Sequence, residues 1–259
     1  MDSILSKIEN NIGLITLNRP DVFNSFNREM ALLFQKTLDS FAQDPAVRCM
    51  VITGNGKAFC AGQDLKEVTN PSTNPGFRAI VEEHYNPIIQ KIRSIEKPII
   101  AAVNGVAAGA GANIALACDV VVASELASFI QAFSKIGLIP DSAGTFFLPR
   151  LIGFQKASAL MMLGEKVSAA DAERMGMIYK YFPAETFEKE VRKIADTLAE
   201  MPTLALGLTK RLLNQSITND LDAQLKAESQ MQIQAGSSHD YQEGVNAFVE
   251  KRKPVFLGN

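Results

Sequence analysis

Apolar residues in the first two thirds of the chain form short uninterrupted runs that alternate with stretches of helical periodicity. Short apolar runs are typical of buried strands, and a period of three to four residues is typical of amphipathic helices. The predicted strands are residues 4–8, 12–17, 47–53, 98–103, 119–123, 128–133 and 178–182. The predicted helices begin near Ser25 or Asn27 and cover residues 77–95, with a break near Pro87, 111–118 and 168–175. Strands that alternate with helices in this way indicate an α/β fold.

Downstream of Glu185 the pattern is helical throughout. Residues 187–199 form an amphipathic stretch, and Met201-Pro202 then interrupts the chain. Further helices are predicted over residues 204–215, 221–235 and 239–251. The sequence therefore predicts an α/β core over residues 1–199 and a helical C-terminal part over residues 200–259.

The composition sets limits on the class of protein. The chain has 259 residues, 47% of them hydrophobic, which is enough for one large domain with a full core. Its 26 basic and 28 acidic residues are spread along the chain and leave a net charge of −2, which argues against nucleic-acid and membrane-surface binding. The long apolar run over residues 98–123 contains Asn104, Asn113 and Asp119, so a strand, a glycine loop and a buried helix explain it better than a membrane span.

The cysteines and histidines favour neither disulfides nor a metal site. Cys49, Cys60 and Cys118 are widely spaced and odd in number, as expected for reduced thiols of a cytosolic protein. His84 and His239 have no partner at a spacing that suits metal ligation, and we predict no metal.

Two glycine-containing segments are candidates for exposed backbone donors. Gly109-Ala110-Gly111 precedes an apolar helical stretch, and N–H groups at a helix start carry positive dipole character that suits a developing oxyanion. Close packing of the helix on a strand also explains these glycines. In residues 61–65, Gly62 would let the Gln63 N–H turn toward a ligand; alternatively, the segment is a turn in which Asp64 caps the next helix.

Asp141 is the candidate acid. It follows Pro140 and precedes Ser142, so it could be an ordinary helix N-cap, or Ser142 could be the cap and leave Asp141 facing a pocket. Two backbone donors that face one carboxylate are suited to removing a proton next to a carbonyl, because the donors bind the enolate oxygen while the acid moves the proton. The sequence has no Walker A motif, no GxGxxG after a strand and no paired nucleophile.

These segments occur in an order that resembles the crotonase (enoyl-CoA hydratase/isomerase) superfamily, from about Ile8 to Gly258. The matching segments are residues 17–20, 59–65, 97–105, 117–119 and 243–252. The resemblance implies a spiral of ββα units and a helical C-terminal part that builds homotrimers or homohexamers. It also implies acyl-CoA thioesters as substrates and no separate cofactor, since the CoA is part of the substrate.

The resemblance assigns roles to five residues. In the family two backbone N–H groups hold the thioester oxygen, and they match Gln63 and Ala110 here. Family hydratases use two glutamates to position and activate water, and the matching residues are Asn113 and Phe133. Asp141 stands where several family isomerases have an acidic proton shuttle. The resemblance therefore implies catalysis by Asp141, with Asn113 as a polar wall residue.

A dry substrate pocket and the CoA contacts complete the expected site. Phe133 would exclude water, and Phe146 or Phe147 could help. The family likeness places CoA against the backbone around Phe23 and against residues of the 61–65 segment, namely Ala61, Gln63, Asp64 and Leu65. Phe248 and Lys251 match C-terminal positions that reach CoA, often from a neighbouring subunit.

Residues 132–142 and 235–244 are especially similar to family isomerases that convert an epoxide of phenylacetyl-CoA to an oxepin in bacterial phenylacetate degradation. One departure is Ala143, where those relatives have glycine. We therefore expect an acyl-CoA isomerase. The alternatives are a Δ3,Δ2-enoyl-CoA isomerase or another enoyl-CoA hydratase/isomerase of fatty-acid degradation, and a non-catalytic crotonase-like binding protein.

Overall fold

The computed structural model describes residues 2–259, whose strands form two sheets. The larger sheet contains, in spatial order, β1 (Ile4–Glu9), β2 (Ile12–Leu17), β3 (Cys49–Gly54), β5 (Ile99–Val103), β7 (Val120–Ser124) and β10 (Lys180–Phe182). The smaller sheet contains β4 (Ala58–Cys60), β6 (Val106–Ala108), β8 (Ser128–Ile130) and β9 (Lys166–Ser168). The β1–β2 and β8–β9 pairs are antiparallel, and the other neighbouring strands are parallel.

One structural unit recurs along the core. The strands β3, β5 and β7 lie in the larger sheet, and each is followed at once by a short strand of the smaller sheet. The chain then enters a helical segment before it returns to the larger sheet. The predicted α/β spiral of ββα units is therefore confirmed.

The helices have the bounds that follow. In the core they are α1 (Arg28–Gln43), α2 (Leu65–Thr69), α3 (Phe77–Ala79), α4 (Asn86–Ser94), α5 (Ala110–Leu116), α6 (Gly144–Ile152), α7 (Phe154–Leu163), α8 (Ala169–Arg174) and α9 (Phe187–Glu200). The C-terminal helices are α10 (Thr203–Gln215), α11 (Leu221–Gly236) and α12 (His239–Glu250). A π-helical segment, Ile80–Tyr85, joins α3 to α4, and a 3-10 turn covers Ala132–Ile136.

Local sequence signals fix several helix starts. Of the two candidate caps of α1, Asn27 is the N-cap, because its side chain accepts the Met30 N–H at 3.0 Å. Ser168 caps α8 as predicted, by accepting the Asp171 N–H at 3.1 Å. The predicted break near Pro87 is the junction at which the π-helical segment ends and α4 begins, since proline has no N–H to donate.

The sequence prediction missed several elements. The strands β4, β6 and β9 each have three residues, which is too short for a periodic signal. Helix α7 falls in a stretch for which no element was predicted, and α6 was anticipated only as a possible helix start at Asp141 or Ser142. The strand predicted over residues 128–133 ends at Ile130, and a 3-10 turn begins at Ala132.

The larger sheet is covered on both faces. One face packs with the smaller sheet, α1, α4 and α5 in a single large core. On the other face, Val191 and Ala195 of α9 pack against Val51 and Ile100. Because the sheet is buried on both sides, its parallel strands are nearly continuous in apolar residues, as the run around β5 shows.

Polar side chains tie the C-terminal part to the core. The Arg48 guanidinium donates to the carbonyls of Met201 and Phe256 and to the Thr203 hydroxyl. The Lys210 ammonium of α10 pairs with Asp119 at 2.7 Å. Helix α9 ends at Glu200, directly before the Met201-Pro202 break, and the two-part division at residue 199 stays a prediction.

Two further expectations concern the environment of the protein. No helix within residues 2–259 has the length and hydropathy needed to span a membrane. The apolar run over residues 98–123 folds as β5, β6, α5 and β7. All three cysteines are buried, and the cytosolic location stays a prediction.

Candidate active site

The Gln63 N–H is a free backbone donor. Phe26 N–H donates to the Gly62 carbonyl at 2.7 Å, and Asp64 N–H donates to the Phe26 carbonyl at 2.8 Å. This parallel bridge uses the groups on either side of Gln63, so the Gln63 N–H points away from the Phe26 segment. Within residues 2–259 it has no hydrogen-bond acceptor.

The Ala110 N–H is a second free donor. Ala110 is the first residue of α5, where the backbone N–H has no partner within the helix. Gly109, with φ 53° and ψ −127°, adopts a conformation open only to glycine, and its own N–H is held by the Ile130 carbonyl at 2.9 Å. No acceptor for the Ala110 N–H lies within residues 2–259. The interpretation of these glycines as packing residues alone is therefore incomplete.

The two donor segments lie against each other. A Cβ added to Gly62 would lie 3.4 Å from the Ala110 nitrogen. Gly111 allows this approach, because a side chain there would collide with the Cys60 carbonyl. The structure thus brings the Gln63 and Ala110 segments together, although they are far apart in the sequence.

Asp141 lies just outside a helix but does not cap it. Helix α6 begins at Gly144, and neither Asp141 nor Ser142 makes a side-chain cap. Ser142 and Ala143 both have left-handed backbones, with φ of 50° and 57°. Such residues cost about 1–2 kcal/mol each and cluster at functional sites. Both N-cap interpretations are therefore wrong, and the strained turn leaves the Asp141 carboxyl free of the helix.

The carboxyl group of Asp141 has one occupied and one open oxygen. Its Oδ1 accepts the Ser142 hydroxyl at 2.9 Å, and its Oδ2 has no hydrogen bond from another residue within residues 2–259. Partial burial raises the pKa of Asp141 above its ordinary value, and hydrogen bonds from Ser142 and from the Asp141 backbone N–H oppose part of that rise. A carboxyl group of this kind is set up to exchange a proton through Oδ2.

Asn113 holds Asp141 in place. Its Nδ2 donates to the Asp141 backbone carbonyl at 2.9 Å, and its Oδ1 accepts from Gln131 at 2.8 Å. Asn113 is 1% exposed, and Gly144 must be glycine because a side chain there would overlap the Asn113 amide. Both ends of the Asn113 amide are bonded within the protein, and its contact with substrate stays a prediction.

Helix α5 therefore sets two parts of the site at once. Ala110 starts the helix, and Asn113 follows one turn later on the same short element. The helix thus fixes the position of the Ala110 N–H relative to the Asp141 backbone. The residue types of Gln131, Ser142 and Gly144 gave no sequence signal of these supporting roles.

Phe133 is placed as an apolar wall. It is 6% exposed, and its ring edge would lie 3.7 Å from a Cβ built on Gly109, next to the Ala110 donor. Phe146 is 37% exposed beneath the Arg150 guanidinium, and with Phe147 it borders a surface hollow that includes Gln90. A role of Phe146 or Phe147 in excluding water from the substrate stays a prediction.

The expected CoA-contacting residues near Gln63 lie on two segments that are joined by a hydrogen bond. The Ala61 N–H donates to the Phe23 carbonyl at 3.0 Å, which joins the two segments. Phe23 is 52% exposed and Leu65 is 56% exposed. Asp64 has a structural task, since it caps α2 at the Lys66 N–H and pairs with Arg19 at 2.7 Å. The capping interpretation of Asp64 is confirmed, and its carboxylate is engaged within the protein.

Phe248 and Lys251 lie in a different part of the chain. Phe248 is 85% exposed at the end of α12, and it borders a hollow of about 460 Å³ with Pro202 and Tyr241. Lys251 follows α12 with a left-handed backbone. The structure does not join either residue to the Asp141 segment within one chain.

The arrangement can polarise a carbonyl and move a proton. Two unpaired N–H groups from neighbouring segments can share one oxygen, and a carboxyl group with a raised pKa is anchored to the helix that carries one of them. Within residues 2–259, no group of three or more His, Cys, Asp or Glu side chains could hold a metal ion. The absence of a cofactor stays a prediction.

The chain is similar in sequence to an acyl-CoA isomerase, and in sequence and in structure to enoyl-CoA hydratases. Residues 7–259 match the model of the enoyl-CoA hydratase/isomerase family. The chain is 45% identical to 1,2-epoxyphenylacetyl-CoA isomerase of Escherichia coli (strain K12), over 100% of this chain and 99% of that protein. It is 42% identical to a probable enoyl-CoA hydratase of Rhodobacter capsulatus, over 99% of this chain and 98% of that one. A crystal structure of a putative enoyl-CoA hydratase/isomerase from Mycobacterium abscessus superimposes with a TM-score of 0.93 at 35% identity, over 99% and 100% of the two chains.

Proposed function

We propose, from the premise that this chain belongs to the enoyl-CoA hydratase/isomerase family, that it is an acyl-CoA isomerase with Asp141 as its single proton shuttle. The observation that carries the proposal is the half-buried Asp141 carboxyl, whose Oδ2 accepts no hydrogen bond from another residue within residues 2–259. Asn113 holds the Asp141 backbone, and it lies on the same helix that presents the Ala110 N–H. The acyl-CoA substrate follows from the family. The preferred substrate of the proposal is 1,2-epoxyphenylacetyl-CoA, which would be converted to the oxepin thioester.

The proposed reaction proceeds through an enolate. Asp141 Oδ2 removes a proton from the carbon next to the thioester carbonyl, and the electron pair moves onto the carbonyl oxygen. The Gln63 and Ala110 N–H groups stabilise that oxyanion. With an aliphatic 3-enoyl substrate, the same carboxyl group returns the proton two carbons further along, so the double bond moves from the 3- to the 2-position. With the aryl epoxide, the carbon–carbon bond shared by the epoxide and the ring breaks, so the oxygen becomes part of a seven-membered oxepin ring, and the same carboxyl group returns the proton to a ring carbon two positions from the carbon that lost it.

The names of similar proteins include both isomerases and hydratases, so they do not decide between the two reactions. The side chains favour isomerisation. A hydratase of this family needs two carboxylates to handle water, and the matching residues here are Asn113 and Phe133. Neither the Asn113 amide nor the Phe133 ring can act as an acid or base, so Asp141 is the single acid of the site. One acid suffices for moving a proton between two carbons.

A turnover screen tests the proposal. The purified protein is mixed separately with 1,2-epoxyphenylacetyl-CoA, a 3-enoyl-CoA and crotonyl-CoA, and the products are followed by mass and ultraviolet absorbance. We expect products of unchanged mass from the first two thioesters. Turnover of only the 3-enoyl substrate would favour the alternative Δ3,Δ2-enoyl-CoA isomerase. Binding of all three without turnover would support the non-catalytic binding protein and overturn the proposal.

Crotonyl-CoA hydration should be slow or undetectable. Asn113 cannot act as a carboxylate base, and Phe133 has no proton to exchange, so water at the β-carbon would lack one of its two catalysts. Loss of enoyl-thioester absorbance is measured beside an isomerase assay on the same preparation. If hydration ran as fast as isomerisation, the single-acid mechanism would be wrong.

A homotrimer or homohexamer is also part of the proposal. Large apolar side chains on the C-terminal helices are more than half exposed in the single chain, which a monomer would leave in water. They are Leu213, Leu221, Leu225, Ile233, Phe248 and Val249. A trimer of the 28.2 kDa chain would weigh about 85 kDa and a hexamer about 169 kDa. Light scattering at micromolar concentration that found only the monomer mass would refute this prediction.

A further inference from the structure

Tyr85 is a fully buried tyrosine beside the proposed site. It is 0% exposed, and its hydroxyl donates to the Gln63 side-chain carbonyl oxygen at 3.0 Å. Sequence analysis gave this residue no role. Its position matters because Gln63 carries one of the two free N–H groups assigned to the oxyanion.

The Gln63 side chain is held at both ends. Its Oε1 accepts from Tyr85, and its Nε2 donates to the Glu67 carboxylate at 2.8 Å. The other oxygen of Glu67 accepts the Arg28 backbone N–H at 2.9 Å, which ties this network to the start of α1. The amide therefore cannot rotate without breaking a hydrogen bond.

The Gln63 backbone is also held through Phe26, which Tyr85 contacts. The parallel bridge to Phe26 holds the peptides on either side of Gln63 and leaves the Gln63 N–H unused. The Tyr85 ring also packs edge-on against Phe26, with the ring centroids 6.2 Å apart. Tyr85 thus supports the donor segment twice, through the Gln63 amide and through Phe26.

The helical segment that contains Tyr85 has π-helical rather than α-helical geometry. Tyr85 ends the π-helical segment Ile80–Tyr85, and the Asn86 N–H donates to the Val81 carbonyl five residues back. The consecutive residues His84 and Tyr85 are both buried. Single π-helical turns within helices are frequent at functional sites.

Tyr85 acts as a donor in this contact. Burial first, and then the neighbouring Cys60 and Asp141 groups, raise the pKa of Tyr85 well above its ordinary value. The hydroxyl therefore keeps its proton at neutral pH. Glu67 is the third titratable group whose charge raises the pKa of this hydroxyl, after Cys60 and Asp141.

We propose that Tyr85 is a positioning residue, which holds the Gln63 N–H in the direction required by the oxyanion by fixing the Gln63 side chain. This inference rests on the proposed function, because it assumes that the Gln63 N–H binds a thioester oxygen. Preorganised donors contribute most when they do not have to reorient as charge develops. Tyr85 supplies that preorganisation without touching the substrate.

Tyr85→Phe should lower kcat by about 3- to 10-fold and leave KM within about twofold, since one neutral hydrogen bond outside the substrate contact is lost. The Ala110 N–H still binds the thioester oxygen of the substrate in the ground state. Tyr181→Phe is the matched control, because Tyr181 is partly buried and its hydroxyl has no hydrogen bond within residues 2–259. Circular dichroism establishes that each variant is folded.

A vibrational readout separates positioning from loss of structure. An unreactive aryl thioester of CoA, labelled with carbon-13 at the carbonyl, is bound to each protein and its C=O stretch is recorded. Donors directed at the oxygen lower this frequency. We expect a smaller lowering in Tyr85→Phe than in the wild type and an unchanged lowering in Tyr181→Phe.

A double-mutant cycle tests the route of the effect. Gln63→Met keeps the backbone N–H but removes the amide that Tyr85 holds. In the Gln63→Met background, Tyr85→Phe should cause no further loss of kcat and no further change in the carbonyl band. An undiminished effect in that background would show that Tyr85 acts otherwise, and an unshifted band in Tyr85→Phe alone would also overturn the inference.

The same measurements distinguish this inference from the proposed function. Asp141→Asn should lose turnover while it keeps the full lowering of the C=O stretch. A wild-type protein that lowers the stretch but isomerises no substrate would defeat the proposed isomerase while leaving the Tyr85 comparison intact. A normal isomerase whose band is indifferent to Tyr85 would defeat only the positioning role.

Discussion

Asp141→Asn should lower isomerase turnover by at least about 10²-fold, because general acid–base catalysis contributes about 10²–10⁴-fold and no second acid is available. Asparagine has nearly the same shape and keeps an oxygen for the Ser142 hydroxyl. It cannot take a proton from carbon. Initial rates with the best substrate of the screen give kcat, and titration with a CoA thioester gives binding, which we expect to be nearly unchanged.

The pH dependence provides a second signature of Asp141. The group must be ionised to remove a proton, and partial burial raises its pKa, so kcat/KM should rise with pH around a midpoint above the ordinary aspartate value of about 4. This limb should disappear from the residual activity of Asp141→Asn. A variant that retained more than about a tenth of wild-type turnover would contradict the assignment.

Stability measurements check that Asp141→Asn is not merely unfolded. Because the folded state raises the pKa of Asp141, it binds that proton more tightly than the unfolded chain does. The free energy of unfolding contributed by this group is therefore fully present below the unfolded pKa and falls as the pH rises through the folded pKa. Asparagine has no such ionisation, so the variant should unfold at an equal or higher temperature at neutral pH.

Ala110→Pro should lower the rate by roughly 10²–10³-fold, the usual cost of one oxyanion donor. Proline removes the N–H, and its ring would also occupy space where that N–H points. Ala110 is the first residue of α5, the helical position that tolerates proline best, since its N–H makes no intrahelical bond. The variant should therefore fold, which circular dichroism would establish before kinetics are measured.

Ala110→Gly is the matched control for the proline variant. Glycine keeps the N–H and removes only the Ala110 methyl group, so the rate should fall only mildly. Ala110 is 3% exposed. The carbonyl stretch of a bound thioester should be lowered less in Ala110→Pro than in Ala110→Gly. A folded Ala110→Pro protein with wild-type activity would exclude the Ala110 N–H from the oxyanion site.

The oxyanion and proton-transfer parts of the site differ in how they are built. The Gln63 and Ala110 N–H groups are backbone donors, fixed by a β-bridge and by the start of a helix. Asp141 is a side chain on a strained turn, and Asn113 links that turn to the same helix. The strain at Ser142 and Ala143 has a function in this view, since a regular helix start would have used Asp141 as a cap.

Some of this could be predicted from the residues alone. Apolar runs and helical periodicity predicted the long strands and helices, since those patterns extend over whole elements. Asn27 and Ser168 were recognisable caps, because capping depends only on residues three positions apart. The glycines at 62, 109 and 111 indicated exposed or closely packed backbone, and Asp141 stood out as an acid beside a turn.

The tertiary structure decided the remainder. The smaller sheet is built from three-residue strands, three of which have no periodic signal, yet it sets Cys60 beside Gly111 and so brings the donor segments together. The sequence contains Asn113 but not its acceptor, and only folding places the Asp141 carbonyl within its reach. The role of Tyr85 could not be predicted either, because its hydrogen-bond partner Gln63 is distant in the sequence. A hydrogen bond between distant residues depends on distance and direction in space, which local residue patterns do not encode.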